Sequence, residues 1–227
     1  MAQKPKISIV IPSRDEAPTI AEIIRGVQSY ADEMLVVDGH SKDHTREIAQ
    51  REGARVILDH GKGKGEALRL AIQEVTGDII VFIDADGSHD VQDIPRLLKP
   101  IIEDDVDMVI GSRMRGGSDE LHGEFLELVR LWGSGVITLC INWRFGKHLT
   151  DYQNGLRAIK TDVARKLTLQ ENHTTIEQEM SIECLKRKFR VEEVPTHEYR
   201  RRFGKSKISL LRHGPRYVYT LIKKLIF

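Results

Sequence analysis

Short apolar runs rich in β-branched residues alternate with helical patterns through the first half of the chain. The runs occupy residues 7–11, 34–37, 55–58, 79–83 and 106–110. Between them, apolar residues recur at spacings of three and four, as over residues 20–27. Strands separated by helices indicate βαβ units. The sequence therefore predicts an α/β fold with a mostly parallel central sheet flanked by helices on both faces.

A polar cluster follows each of the five predicted strands. The clusters are residues 14–16, 38–40, 61–65, 84–88 and 111–113. Because the carboxyl ends of parallel strands meet at one edge of a sheet, we expect these clusters to lie together. Ligands of open α/β sheets bind beyond that edge. The periodicity alone thus predicts one binding site built from five loops.

Asp84 and Asp86 leave the fourth predicted strand together, with Ala85 between them. Two adjacent carboxylates repel each other unless a cation compensates them. Mg²⁺ and Mn²⁺ prefer oxygen ligands, and Mg²⁺ commonly sits between carboxylates and phosphate oxygens. The pair therefore predicts a divalent metal on a nucleotide diphosphate. Solvated turn acids are the alternative, because Asp86-Gly87 is also typical of turns.

Two neighbouring loops have both a functional and a structural interpretation. Glycine and lysine alternate over residues 61–65 ahead of a predicted helix, where backbone amides attract anions. The spacing is not that of a Walker loop, and a flexible surface turn has the same composition. Asp38 ends the second predicted strand. Its carboxylate would accept hydrogen bonds from a base or ribose, or cap the following helix.

Positive charge is concentrated near the C-terminus of this 227-residue chain. Thirteen Lys or Arg residues and only three Glu residues follow Leu185, although the net charge of the whole chain is +1. The dense basic segment 200–207 suits phosphate binding by guanidinium groups. Residues 216–227 place apolar side chains at helical spacing, which predicts an amphipathic helix at an anionic membrane surface or docked on its own domain. We expect no nucleic-acid partner.

Several classes of protein are disfavoured. Cys140 and Cys184 lie far apart and form no disulfide framework, which suits a reducing cytoplasm. The N-terminus has no apolar signal core, and no apolar stretch approaches the roughly 20 residues of a spanning helix. The histidines and cysteines have no zinc-ligand spacing. No motif for a covalent nucleophile is present.

Eight sequence segments, in this order, resemble the family 2 glycosyltransferases of GT-A fold, and within them the dolichyl-phosphate mannose synthase-like group. The segments are residues 9–16, 36–45, 64–67, 84–89, 110–117, 130–134, 151–157 and 201–207. Asp15 stands where the family has Asn, and Gly39 and His40 depart from its second segment.

The resemblance implies a nucleotide-sugar donor (GDP-mannose or a UDP-sugar), Mg²⁺ or Mn²⁺, inversion at the anomeric carbon and a polyprenyl (dolichyl) phosphate acceptor. The implied metal ligands are Asp84, Asp86 and Ser88. The implied donor site comprises Pro12, Asp15, Glu16, Asp38, Lys64, Gly65, Asp84, Ala85 and Asp86. Arg113, Arg130, Ser134, Arg201 and Lys207 would hold the acceptor phosphate. Asp86, Arg113, Arg130 and Arg201 are the expected catalytic residues.

A phosphate monoester is largely ionised at neutral pH and can attack without a strong base. Glu177 and Glu179 would be needed as bases only for a hydroxyl acceptor. We expect residues 1–207 to form the catalytic domain, with a nucleotide half over 6–115 and an acceptor half over 116–207. Residues 208–227 would follow as a basic amphipathic segment, and the enzyme would be peripheral on the cytosolic face of a membrane.

Two other functions compete with this interpretation. Residues 84–88 also resemble the nucleophile motif of haloacid dehalogenase-like phosphohydrolases. That motif usually follows the first strand, however, and the chain has no later Gly-Asp-x-x-x-Asp segment. A non-catalytic module that binds membranes or RNA through the basic end is the second alternative.

Overall fold

The computed structural model describes residues 4–119, 125–203 and 210–226, without the side chains of 125–130, 210–213 and 226. Within these residues one sheet has seven strands in the order β3-β2-β1-β4-β6-β5-β7. The strands are β1 (Ile7–Ser13), β2 (Glu33–Asp38), β3 (Arg55–Leu58), β4 (Ile79–Phe82), β5 (Met108–Ser112), β6 (Arg157–Lys160) and β7 (Val191–Pro195). Only β6 runs against the others. The predicted mostly parallel sheet is confirmed.

Helices cover both faces of the sheet. They are α1 (Ile20–Val27), α2 (Thr45–Arg51), α3 (Lys64–Glu74), α4 (Ile94–Glu103), α5 (Arg113–Gly116), α6 (Phe125–Phe145), α7 (Thr161–Lys166), α8 (Ile176–Lys186) and α9 (Leu210–Ile226). The alternation along β1 explains the two cores. Ile9 and Ile11 pack with α1 and α4, whereas Val10 packs with α3, α6 and α8 on the other face.

The sequence did not predict β6 or α7. β6 is four residues long and pairs antiparallel with both β4 and β5. It therefore joins the predicted acceptor half to the middle of the sheet, and β7 extends the edge beyond β5. The predicted boundary at residue 115 separates loops but not the sheet, because strands from both sides of it pair with one another.

The C-terminal helix α9 packs against α6 and α8. Its inner side buries Leu221, and Lys224 lies 2.8 Å from Oε1 of Glu179 and 3.1 Å from Oε1 of Glu183. Docking on its own domain, one of the two alternatives for this segment, is thus observed for the inner side. No helix among the described residues combines the length and the apolar character needed to cross a bilayer.

Candidate active site

The carboxyl ends of β1, β2, β4 and β5 open into one cavity of about 570 Å³. Its floor is polar, and helices α6 and α9 supply an apolar wall that includes Leu131, Ile137 and Val218. Ten of the predicted site residues line this cavity: Pro12, Glu16, Lys64, Asp84, Ala85, Asp86, Ser88, Arg113, Ser134 and Arg201. The expected meeting of the strand-end loops is therefore confirmed.

Asp84 lies just beyond the end of β4 and is paired with the first residue of α3. Nζ of Lys64 lies 2.6 Å from Oδ1 of Asp84 and 2.8 Å from Oε1 of Glu177. Burial alone would raise the pKa of Asp84, but the nearby charge of Lys64 and the hydrogen bond with His89 outweigh it and hold that pKa far below its usual range. The pKa of Lys64 is raised, because its two carboxylate partners outweigh the effect of burial. Both groups are therefore charged at neutral pH.

Asp86 is held by a second set of partners. Ser88 donates to Oδ1 of Asp86 through its backbone N–H and its hydroxyl, at 3.0 and 2.7 Å. Nη2 of Arg201 lies 2.6 Å from Oδ2 of Asp86 and 3.5 Å from Oε1 of Glu16. Burial and the neighbouring Asp84 raise the pKa of Asp86. The hydrogen bonds from Ser88 and Arg201 and the charge of Arg201 lower it by more, so the net shift is downward.

These carboxylates fit a divalent cation by the chemistry of the donor set. Asp84 and Asp86 present ionised hard oxygens at one cavity wall, and two protein carboxylates leave coordination positions for diphosphate oxygens. No group of three His, Cys, Asp or Glu residues within the described parts of the chain could hold a metal alone. Ser88, which we predicted as a ligand, lines the cavity and donates its hydroxyl to Asp86, and its role as a ligand stays a prediction.

Arg113 begins α5 at the end of β5 and is fixed by two carboxylates. Its Nε lies 2.6 Å from Oδ2 of Asp151, its Nη2 lies 3.0 Å from Oδ1 of Asp151, and its Nη1 lies 3.3 Å from Oε1 of Glu198. Burial raises the pKa of Asp151, but the charge and bonds of Arg113 outweigh it and hold that pKa below its usual range. This bidentate contact holds a guanidinium group at the cavity wall.

Three residues predicted for the donor site do not line the cavity. Asp38 is fully buried and accepts hydrogen bonds from the backbone and hydroxyl of Ser41, at 2.9 and 2.5 Å, so its carboxylate organises its own loop. Asp15 has a positive φ of 54° and accepts from the backbone N–H of Lys42. Gly65 packs against the backbone of residues 171–173. These contacts give the three residues structural roles, and their predicted contacts with the donor stay predictions.

The remaining predicted residues lie on segments 125–145 and 201–209. Ser134 lines the cavity from α6. Arg130 lies on the same helix, and its side chain is outside the described set. Lys207 lies outside the described residues altogether. The roles predicted for Arg130 and Lys207 stay predictions.

Sequence reasoning gave too little weight to residues 154–157 and 177. Gly155 comes so close to Asp84 that an added Cβ would lie 2.7 Å from Oδ2. Beneath it, the buried Arg157 donates to the backbone carbonyls of Tyr152 and Asn154 and holds their loop. Oε2 of Glu177 is buried and has no hydrogen-bond partner among the residues that the structure describes. Spacing along the chain carries no signal for the approach of Gly155 to Asp84 or for the pair of Lys64 with Glu177, since these contacts join distant segments.

Comparison with known proteins places this site in a family. The model of glycosyl transferase family 2 matches residues 8–168. The chain belongs to this family. Asp84 and Asp86 follow β4, a central strand of the sheet and the fourth along the chain. This position and the family match agree with glycosyl transfer and not with the phosphohydrolase alternative.

Two relatives and one solved structure illustrate the likeness. Glycosyltransferase AglJ of Haloferax volcanii is 34% identical over 87% of this chain, and the chain spans 64% of the length of AglJ. The UDP-N-acetylglucosamine--dolichyl-phosphate N-acetylglucosaminyltransferase of Methanococcus voltae is 29% identical, covering 83% of this chain and 84% of that protein.

The solved structure is glucosyl-3-phosphoglycerate synthase from Mycobacterium tuberculosis, in complex with Mn²⁺, UDP-glucose and phosphoglyceric acid. It superposes with a TM-score of 0.76 at 22% identity, covering 98% of this chain and 80% of that chain. At this identity the likeness shows the fold alone. The predicted GT-A fold of a family 2 glycosyltransferase is confirmed.

Proposed function

We propose that this glycosyltransferase moves a sugar from a nucleotide-diphosphate sugar to a polyprenyl (dolichyl) phosphate, with inversion at the anomeric carbon. The observation that carries the proposal is the composition of the cavity. Ionised carboxylates and fixed guanidinium groups form its floor, and Leu131, Ile137 and Val218 form an apolar wall. A substrate with a phosphate head and a hydrocarbon tail matches both surfaces.

Asp84 and Asp86 are the proposed ligands of Mg²⁺ or Mn²⁺ on the donor diphosphate. When bound, the cation would stabilise the charge that develops on the leaving nucleotide. Lys64 fixes the carboxylate of Asp84, and Ser88 fixes that of Asp86. Pro12, Glu16 and Ala85 line the adjoining wall, where the nucleotide would lie.

Arg113, Arg201 and Ser134 are the proposed contacts of the acceptor phosphate. Because Asp151 and Glu198 already hold Arg113, its guanidinium group needs no reordering to bind a phosphate oxygen. Electrostatic positioning of an already ionised nucleophile requires no strong general base. Glu179 is fully buried and accepts backbone N–H groups of Gln170 and Glu171, which argues against a role as base.

The names of the comparison proteins guide the choice of donor. The Methanococcus voltae relative is named for UDP-N-acetylglucosamine and dolichyl phosphate, and the solved structure holds UDP-glucose and Mn²⁺. These support testing UDP-sugars before GDP-mannose. We further propose that the reaction takes place at the cytosolic face of a membrane, with the enzyme bound peripherally.

The proposal is tested by incubating the purified chain with Mn²⁺, a short-chain polyprenyl phosphate and a panel of UDP- and GDP-sugars. Mass spectrometry should detect one glycosylated lipid, and Asp86→Ala should abolish it. Asp162→Ala, on the exposed side of α7, is the matched control and should retain transfer. Release of free sugar without lipid product, or transfer to 3-phosphoglycerate but not to the polyprenyl phosphate when both are supplied, would contradict the proposed acceptor.

A further inference from the structure

The outward side of α6 carries an apolar stripe without charge. Trp132 and Trp143 are 76% and 87% exposed, and Val136 and Leu139 lie between them at helical spacing, also exposed. No charged residue occurs over residues 131–143. The opposite side of the same helix is buried in the domain core through Ile137 and Ile141. The stripe is therefore not needed to hold α6 in place.

The neighbouring helix α9 shows the same division. Val218, Tyr219 and Ile222 are exposed, whereas Leu221 and Lys224 on the inner side are buried. We call the two exposed sets together the apolar face: Trp132, Val136, Leu139, Trp143, Val218, Tyr219 and Ile222. Exposed apolar surface gathered on adjacent helices indicates an interaction site.

The active-site cavity reaches the apolar face. Gly135 of α6 and Val218 of α9 line the cavity and are also exposed. Tyr217, on the inner side of α9, closes the same wall and donates a hydrogen bond to the carbonyl oxygen of Thr174 at 3.0 Å. A partner bound to the apolar face would therefore stand at one opening of the cavity.

Basic residues flank both stripes of the apolar face in sequence. No Asp or Glu occurs over residues 128–150 or after Glu198. Arg144 follows the α6 stripe and Arg216 precedes the α9 stripe, and both are exposed. Exposed cations beside apolar and aromatic side chains complement a surface with anionic groups above a hydrocarbon layer.

We infer that the apolar face docks on a lipid bilayer that contains anionic headgroups. Trp and Tyr favour the boundary between hydrocarbon and water, where an apolar ring and a polar N–H or O–H are both accommodated. This docking would present the cavity mouth to the bilayer. The inference rests on the proposed function in one respect, which is that a lipid acceptor would reach the cavity from the bilayer. The apolar face itself is defined by exposure and charge alone.

The chain's two tryptophans both lie on the apolar face, so their fluorescence reports its environment directly. The first test adds phosphatidylcholine vesicles, with or without phosphatidylglycerol and without any polyprenyl phosphate, to the purified chain. We expect a blue shift of the tryptophan emission and co-sedimentation, both stronger with the anionic lipid.

Variants locate the contact. Leu139→Ser combined with Trp143→Ser should lower vesicle partitioning by at least about tenfold, since two exposed apolar side chains no longer enter the bilayer. Ile102→Ser, on α4 and 45% exposed, is the matched control and should bind as the parent does. Arg144→Glu with Arg216→Glu should weaken binding to anionic vesicles only, whereas exposed Arg51→Glu on α2 should not.

Three outcomes would overturn the inference. They are no co-sedimentation with either vesicle, equal loss in the Ile102→Ser control, or a blue shift without vesicles that grows with protein concentration, which would assign the face to a second copy. Transfer to a short-chain acceptor in free solution separates this inference from the proposed function. Transfer without vesicle binding would reject the docking surface alone, and vesicle binding without transfer to any acceptor would reject the function alone.

Discussion

Nη2 of Arg201 lies 2.6 Å from Oδ2 of Asp86, so a cation of the chain occupies one oxygen of a proposed metal ligand. Removing that cation should ease metal binding and remove an acceptor contact together. In the absence of donor, Arg201→Ala should therefore raise the affinity for Mn²⁺ by roughly fivefold. This corresponds to about 1 kcal/mol of binding free energy, as expected for a partly exposed ion pair. The substitution should also abolish transfer, while donor binding survives. Titration with Mn²⁺ followed by electron paramagnetic resonance measures the first effect.

The neighbouring arginine provides the control for this variant. Arg202 pairs with Glu22 at 2.8 Å on the exposed surface, and Arg202→Ala should change neither Mn²⁺ affinity nor transfer. Equal loss of donor binding and transfer in Arg201→Ala would remove Arg201 from the acceptor site. An unchanged Mn²⁺ affinity would show that the pair with Asp86 does not compete with the metal.

Lys64 compensates two carboxylates at once, those of Asp84 and Glu177. Lys64→Met would leave both without their shared cation at a site that is mostly buried. We expect the free energy of unfolding to fall by about 2 kcal/mol, less than for a fully buried pair. Urea denaturation measures this change. Exposed Lys62→Met, two residues earlier, should be neutral, and equal destabilisation by both substitutions would exclude the pairing as the cause.

The sequence was sufficient to predict the parallel strands and the edge at which their loops meet. Alternation of apolar runs and helical patterns is a local property, and β1 and β4 follow it closely. The antiparallel β6 escaped prediction because its four residues include Arg157, whose charge argues against a buried strand. That charge is accommodated by carbonyl oxygens of the preceding loop, from Tyr152 and Asn154, and by the carbonyl oxygen of Glu177 and the hydroxyl of Ser181 on the distant helix α8.

The site was predictable by residue type but not by contact. Asp84 and Asp86 were predicted from their position after a strand, and Arg201 from the basic segment 200–207 and the resemblance, yet nothing in the sequence indicated that Arg201 pairs with Asp86. For Asp38 the sequence left two roles open, a contact with a ligand and a contact within its own chain. The structure shows a contact within its own loop, because the hydroxyl of Ser41, three residues away, donates a hydrogen bond to the Asp38 carboxylate.

Gly65 matches the family pattern, but the structure gives it a packing role. A Cβ at this position would overlap the carbonyl oxygen of Glu171 and lie 2.8 Å from that of His173. Gly65→Ala should therefore lower the free energy of unfolding by about 2 kcal/mol, because backbone must shift to admit it. A Cβ at Gly135 on α6 would meet none of the described residues within 4 Å, so Gly135→Ala should raise the free energy of unfolding by up to about 1 kcal/mol, because alanine favours a helix. Thermal denaturation of both variants checks the contrast, and destabilisation by Gly135→Ala would contradict it.

The contact between Arg113 and Asp151 predicts how stability depends on pH. The pKa of Asp151 in the folded chain lies below its ordinary value of 3.8, so the folded state binds this proton less readily than the unfolded state. The stabilisation is then complete above about pH 4 and is lost as the pH falls through the folded pKa. Asp151→Asn should lower the free energy of unfolding by roughly 3 kcal/mol at pH 7, because Arg113 keeps only Glu198.

The difference between the parent and Asp151→Asn should shrink below pH 4, since the unfolded parent then binds a proton that the folded parent does not bind. Urea denaturation at pH 7, 5 and 2.5 measures it. The exposed Asp162, paired with Lys166 at 2.7 Å, gives the control, because an exposed pair contributes at most about 1 kcal/mol. A difference that stays constant from pH 7 to 2.5 would mean that Asp151 acts through packing and not through its charge. In that case the guanidinium group of Arg113 would not owe its position at the cavity wall to an ion pair.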